Sequence, residues 1–135
     1  MKVLLIDEEI WLADAIFDRL VYEHGEGSYD YADNGADGLA KLRTTKFDVV
    51  ILDMMLPLGG DLKLPNNEPD LMYGVFILRL IRQLFDNNTL PIICYTVIES
   101  PKVQKQIDSY KATYVCKLTE TSFDDLFKSI NAVLI

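Results

Sequence analysis

The stretch Phe47-Asp48-Val49-Val50-Ile51-Leu52-Asp53-Met54-Met55-Leu56-Pro57 constrains this chain more than any other. Val49 to Leu52 form an unbroken apolar run, the pattern of a strand buried on both faces, as in a parallel sheet. The run ends on a carboxylate, Asp53, and Pro57 prevents a helix from following directly. In open α/β sheets, ligands bind at the carboxyl ends of the central strands. An acid delivered there by so apolar a strand either caps a turn or belongs to a site. The rest of the chain decides between the two.

A length of 135 residues suits a single domain, residues 1–135, with a real core. No apolar run approaches the ~20 residues needed to cross a bilayer, so no membrane is expected as a partner. The start, Met1-Lys2-Val3-Leu4-Leu5-Ile6-Asp7, puts an acid straight after a short apolar run and lacks a small-residue cleavage site. It reads as a strand and not as a signal peptide. Cys94 and Cys116 both fall in expected buried strands, as core thiols rather than a disulfide or a metal pair. These features predict a cytoplasmic protein. The net charge of -8 argues against direct contact with nucleic acid, which needs clustered Lys and Arg. Excess acid either keeps the chain soluble or serves a site that gathers carboxylates around a metal. Composition alone does not separate these.

In chain order, Val3 to Ile6 is a short buried strand ending at Asp7-Glu8-Glu9. A helix is expected from about Ile10 to Glu23, with Leu12, Ala15, Ile16 and Leu20 at helical spacing. Trp11 lies off that stripe beside Asp14 and Asp18 and is expected to be partly exposed. His24 closes the helix beside Gly25, where a histidine interacts with the helix dipole. Ser28 to Ala32 reads as a second strand, Asp33-Asn34-Gly35 as a turn, and about Ala36 to Thr44 as a helix. After the central strand, Gly59-Gly60, Pro65-Asn66-Asn67 and Pro69 interrupt regular structure. A helix restarts near Leu71 and runs to about Phe85, with Asp86-Asn87-Asn88 ending it. Pro91 to Thr96 is a fourth strand and about Lys102 to Ser109 a short helix. Thr113 to Cys116 is a fifth strand, and Phe123 to Leu134 the last helix. Five strands alternating with five helices call for a three-layer sandwich around a parallel sheet.

The strand ends can now be read together. Strand one delivers Asp7 and Glu8, strand three Asp53, strand four Thr96, and strand five Lys117. Parallel strands bring all of these to one rim of the sheet. Carboxylates converging on one point repel unless a cation joins them, and an oxygen-only set suits Mg²⁺. A lysine and a hydroxyl opposite the acids would hold the oxygens of a transferred phosphoryl group. A carboxylate can itself be the acceptor in such a transfer.

With these residues in this order the chain resembles a response-regulator receiver domain of two-component signalling, over essentially its whole length. Asp7-Glu8 match the acidic pair, Asp53 the phosphoacceptor, and Met54-Met55-Leu56-Pro57 the segment after it. Thr96 matches the switch hydroxyl, Lys117 the invariant lysine, and Tyr114 the aromatic switch. The resemblance implies a flavodoxin-like fold with strand order 2-1-3-4-5. It implies Mg²⁺ held by Asp7 or Glu8, Asp53 and the backbone carbonyl of Met55. It implies transfer to Asp53 from a phosphohistidine on a kinase or phosphotransfer protein, with Lys117 neutralising the phosphoryl charge. Thr96 would then move toward the acyl phosphate and let Tyr114 turn inward, altering a face read by a downstream protein or output domain. Pairing of two copies near Tyr114 is a habit of the family. Such a domain is a regulatory phosphoacceptor and not an enzyme.

Four features depart from the family pattern. Glu8 is one methylene longer than the usual aspartate, which shifts the metal. Leu118 stands where a proline usually follows the lysine, which predicts a looser loop. Val97 replaces a small residue and narrows access to the acyl phosphate, which predicts slow hydrolysis. The run from Leu58 to Tyr73 is about a dozen residues longer than the family needs before the glycine matched by Gly74. Its composition predicts a solvated, mobile loop; the rival reading is a lid or dock.

Two other functions fit parts of the pattern. A haloacid-dehalogenase-like phosphatase would use Asp7 as nucleophile, with Thr96 and Lys117 in support, but that family has Asp where Glu9 stands. A pseudo-receiver would keep the fold as a binding module without phosphorylation. Intact Asp53, Thr96 and Lys117 count against it.

Overall fold

The computed structural model describes residues 1–84 and 89–134. The order of elements is β1 (Lys2–Ile6), α1 (Ile10–His24), β2 (Ser28–Ala32), α2 (Gly35–Thr44), β3 (Val49–Leu52), α3 (Tyr73–Leu84), β4 (Ile92–Thr96), α4 (Pro101–Ser109), β5 (Thr113–Cys116) and α5 (Ser122–Val133). All five strands are parallel and lie in the order β2-β1-β3-β4-β5. The expected three-layer α/β architecture and strand order are those observed. The element limits differ from the sequence expectation by a residue or two, and the expected stop at Asp86-Asn87-Asn88 lies outside the described residues.

Alternation along the strands builds two cores, one on each face. Leu4, Ile6, Val50, Leu52, Ile92 and Cys94 face a cluster completed by α2, α3 and α4. Val3, Leu5, Val49, Ile51, Ile93 and Tyr95 face the other, completed by α1 and α5. Both faces of β3 are therefore covered, which is why its four residues are all apolar and all fully buried. Among the described residues, no helix is long and apolar enough to cross a membrane.

Local chemistry sets the helix limits. The Asn34 side chain accepts from the Asp37 amide at 2.9 Å to start α2. Ser100 accepts from the Val103 amide at 3.3 Å, and Pro101 follows it at the first turn of α4. The backbone of Gly25, at φ 79°, turns the chain out of α1, and its amide still bonds the Val21 carbonyl. Cys94 is buried and Cys116 half-buried, both as free thiols.

The segment between β3 and α3, expected as a solvated loop, keeps much of its length at the surface but is anchored by apolar contacts. Leu58 is buried, and Leu62, Leu64, Leu71 and Met72 pack against the core on the α3 side. These contacts oppose the entropy cost of ordering a Gly- and Pro-rich run. Its limits also shift: Tyr73 belongs to α3, so the irregular stretch ends at Met72.

Candidate functional site

Three backbone hydrogen bonds carry the sheet one residue past the strands and fix the rim. The Asp7 amide bonds the Ala32 carbonyl at 3.0 Å, the Asp53 amide the Ile6 carbonyl at 3.0 Å, and the Lys117 amide the Thr96 carbonyl at 2.8 Å. Ile6 pairs with Leu52, so Asp7 and Asp53 emerge side by side. Both carboxylates are buried. Lys117 Nζ reaches between them, 2.7 Å from Asp7 Oδ2 and 3.4 Å from Asp53 Oδ2. The lysine also lies 5.5 Å from the centroid of the Tyr95 ring, which shields it from one side.

The remaining carboxylate oxygens are held by the loops. Asp7 Oδ1 accepts from the Glu9 amide at 2.9 Å, and Asp53 Oδ1 from the Met55 amide at 3.2 Å. Both are two-residue turns of the kind Asp makes, so the capping role considered for Asp53 coexists with its place in the site. Burial raises the pKa of Asp7 above its ordinary value, against the lowering effect of Lys117 and the Glu9 amide. Burial alone would lower Lys117, but the hydrogen bond to Asp7 and the charges of Asp53, Asp7 and Glu9 outweigh it, and its pKa is raised. The cation is thus firmly protonated between acids that outnumber it.

Thr96 is fully buried at the end of β4, and its Oγ1 accepts from the Ile98 amide at 3.4 Å. Tyr114 donates to the Ile98 carbonyl at 2.7 Å. Thr96 and Tyr114 are therefore joined through a single residue, Ile98. Burial pushes the Tyr114 phenol up to about 12, so it stays a donor at neutral pH.

Not every expected residue is drawn in. Glu8 is exposed, and among the described residues no group of three or more His, Cys, Asp or Glu side chains is gathered into a metal cage. Met55 presents its side chain to solvent, as do Val97, Leu118 and Trp11. The Leu118 amide, which a proline would lack, donates to Cys116 Sγ at 3.4 Å. His24 hydrogen-bonds Asn131 at 2.7 Å, far from the rim along the chain and the fold.

Two features escaped sequence reasoning. Tyr31, on β2, has a buried hydroxyl with no hydrogen-bond partner among the described residues; burial, then Asp7, Asp33, Glu8 and Glu9, push it up to about 12. Arg79 on α3 grips Glu68 of the long segment through two hydrogen bonds of 2.9 and 2.6 Å. Nothing in the linear pattern marks either residue, because each depends on a neighbour from another element.

No family model matches the chain. It is 30% identical over 95 residues to the response regulator ArlR of Staphylococcus saprophyticus, a match covering 70% of this chain and 35% of that protein. The chain thus spans about a third of the length of that relative. Its fold is similar to that of the chemotaxis response regulator CheY4 of Vibrio cholerae, with a TM-score of 0.72 at 22% identity over 98% of this chain and 97% of that one. It is also similar to the response regulator protein TrrA of Thermotoga maritima, solved in complex with Mg²⁺-BeF, with a TM-score of 0.70 at 22% identity, covering 98% and 99% of the two chains. The sequence kinship with a named response regulator, together with the parallel 2-1-3-4-5 fold, identifies this chain as a response-regulator receiver domain, a module of two-component signalling.

Proposed function

We propose that this domain, residues 1–135, accepts a phosphoryl group from a phosphohistidine onto Asp53 in a phosphorelay. The observation that carries the reading is the pair of buried carboxylates, Asp7 and Asp53, sharing the ammonium of Lys117. In the transfer, an Asp53 carboxylate oxygen forms a bond to phosphorus while the bond to the donor imidazole nitrogen breaks. The departing imidazole keeps that electron pair and takes up a proton from solvent. Lys117 would neutralise charge on the phosphoryl oxygens, and Thr96 would supply a hydroxyl from the end of β4.

Two buried carboxylates with a backbone carbonyl nearby suit a cation that keeps most of its waters, so the donor chemistry fits Mg²⁺. Asp7, Asp53 and the Met55 carbonyl would hold it, with exposed Glu8 acting through water or turning inward. Bound there, Mg²⁺ supplies the charge that lets an anionic phosphoryl group approach anionic carboxylates. The Mg²⁺-BeF complex of TrrA supports this assignment by analogy.

The output is the linkage Thr96–Ile98–Tyr114. A shift of Thr96 toward a phosphorylated Asp53 would pull on Ile98 and so on the Tyr114 hydroxyl, remodelling the face read by a partner. The partners by this reading are a histidine kinase or phosphotransfer protein and a downstream protein or output domain, in the cytoplasm. Direct contact with nucleic acid or membrane is not part of it, and the domain is a regulator and not an enzyme. Exposed Glu8 favours one second reading, a pseudo-receiver that binds partners without being phosphorylated.

Intact mass after incubation with acetyl phosphate and Mg²⁺ separates these. A single phosphoryl adduct, lost in Asp53→Ala, is the expected result. An adduct that survives Asp53→Ala and vanishes in Asp7→Ala would instead support phosphatase-like chemistry. No adduct, without Mg²⁺ binding, would support the pseudo-receiver.

A further inference from the structure

The segment 58–72 leaves from the acceptor and returns to it. Its entry lies five residues after Asp53, and at its exit the Gly74 amide bonds the Met54 carbonyl at 3.0 Å. Early on, the carbonyls of Pro57 and Leu58 take the amides of Gly35 and Ala36, tying it to the start of α2. Such a closed, self-packed excursion has the form of an Ω-loop.

Its far part is bolted to α3 and α4. Arg79 holds both oxygens of Glu68 and at the same time donates from Nε to the Tyr110 hydroxyl at 3.1 Å. Tyr110 caps the C-terminal end of α4. One guanidinium therefore joins the segment, α3 and the end of α4, and the planar two-point grip fixes direction as well as distance. Beside the other end of α4 the packing is different. A groove of about 530 Å³ starts there, between Leu71 and Met72 on one side and Ile98, Lys102 and Val103 on the other, and runs along α4 as far as Gln106 and Glu68. Ile98 is also the residue that links Thr96 to Tyr114.

We propose that residues 58–72 are a regulatory strap: they pin α4 at its C-terminal end through Glu68–Arg79–Tyr110 and leave a groove into which its N-terminal end swings when the Thr96–Ile98 segment moves. A helix pinned at one end with free volume at the other pivots, and its pin sets how easily it does so. The clasp stands on geometry alone; its coupling to Asp53 rests on the receiver reading. Arg82 of α3 also holds this end of α4, donating to the Tyr110 carbonyl at 2.8 Å and the Lys111 carbonyl at 3.1 Å. A domain lacking Glu68 would therefore keep its acceptor site and that anchor but lose the segment's own share of the restraint on α4.

The test is amide hydrogen exchange on the full chain, comparing the native protein with Glu68→Gln and with Tyr110→Phe. Without acetyl phosphate, each variant is expected to speed exchange of the α4 amides by roughly threefold to tenfold, the range for one polar pair at a partly exposed site. Exchange in β1 and β3 should stay unchanged. Equal α4 exchange in all three proteins, or uniform acceleration throughout the chain, would overturn the clasp. With acetyl phosphate and Mg²⁺, the native α4 should open toward the rate of Glu68→Gln. An Asp53 adduct that leaves α4 exchange untouched would overturn the coupling. If no adduct forms, the receiver reading and the coupling fall together, while the first comparison still decides whether α4 is pinned.

Discussion

Lys117 Nζ lies 2.7 Å from Asp7 Oδ2, although the two residues are 110 positions apart and β3 and β4 separate their strands. The lysine spans the rim and also meets Asp53 at 3.4 Å. One cation is shared by two buried acids, and the site is left short of positive charge. That imbalance is what a divalent cation or the loss of an acid would relieve.

Removing the cation should therefore be costly. Lys117→Met leaves two buried carboxylates facing each other, and we expect a stability loss of about 3 kcal/mol at pH 7. Urea unfolding of both proteins checks it; a loss under about 1 kcal/mol would mean that water already reaches the acids.

Removing an acid should help. The pKa of Asp7 in the folded chain is above its ordinary 3.8, chiefly through burial. Its favourable contribution is complete below that value and is lost as pH rises through the raised one. At neutral pH the ionised group therefore opposes folding. Asp7→Asn should raise the melting temperature at pH 7, and the gain should vanish as the pH approaches the ordinary value. Melting curves across that range decide it; a gain that grows toward acid pH would reverse the argument.

Gly74 admits no side chain. A Cβ there would sit 2.2 Å from Met54 Cα and 2.4 Å from the Asp53 carbonyl oxygen, both backbone atoms that cannot turn aside. Gly74→Ala should destabilise the fold by about 2 kcal/mol and displace the acceptor. Unfolding measurements paired with the rate of adduct formation should show both effects together. An alanine variant with native stability would show that α3 can slide away from β3.

Tyr114 contributes a hydrogen bond of 2.7 Å to the Ile98 carbonyl. Tyr114→Phe keeps the ring in its apolar surroundings and deletes only that bond, so we expect a loss of about 1 kcal/mol. The same variant should weaken the response of α4 exchange to acetyl phosphate. An undiminished response would move the coupling to another route.

Much of this protein was legible in the order of its residues. The apolar run Val49–Leu52 ended in an acid, and strands with apolar stretches of the same kind ended in Asp7, Thr96 and Lys117. Parallel pairing has no freedom to scatter such ends, because each strand in a βαβ unit starts from the same side. The layered parallel fold and the sharing of one rim follow from that pattern, whereas the strand order was implied by the resemblance to receiver domains. Tertiary structure decided what depends on distance between elements. It drew Lys117 onto Asp7 and Asp53 and left Glu8 in solvent, since a neighbouring position on a turn points elsewhere. It also anchored the Gly- and Pro-rich run 58–72, expected as a solvated loop, through apolar contacts and the Glu68–Arg79 pair. Local composition records only that such a run lacks helix and strand; whether it is ordered depends on Arg79 and the core beneath Leu58 and Leu62, which lie elsewhere in the chain or become apolar partners only once α3 is in place.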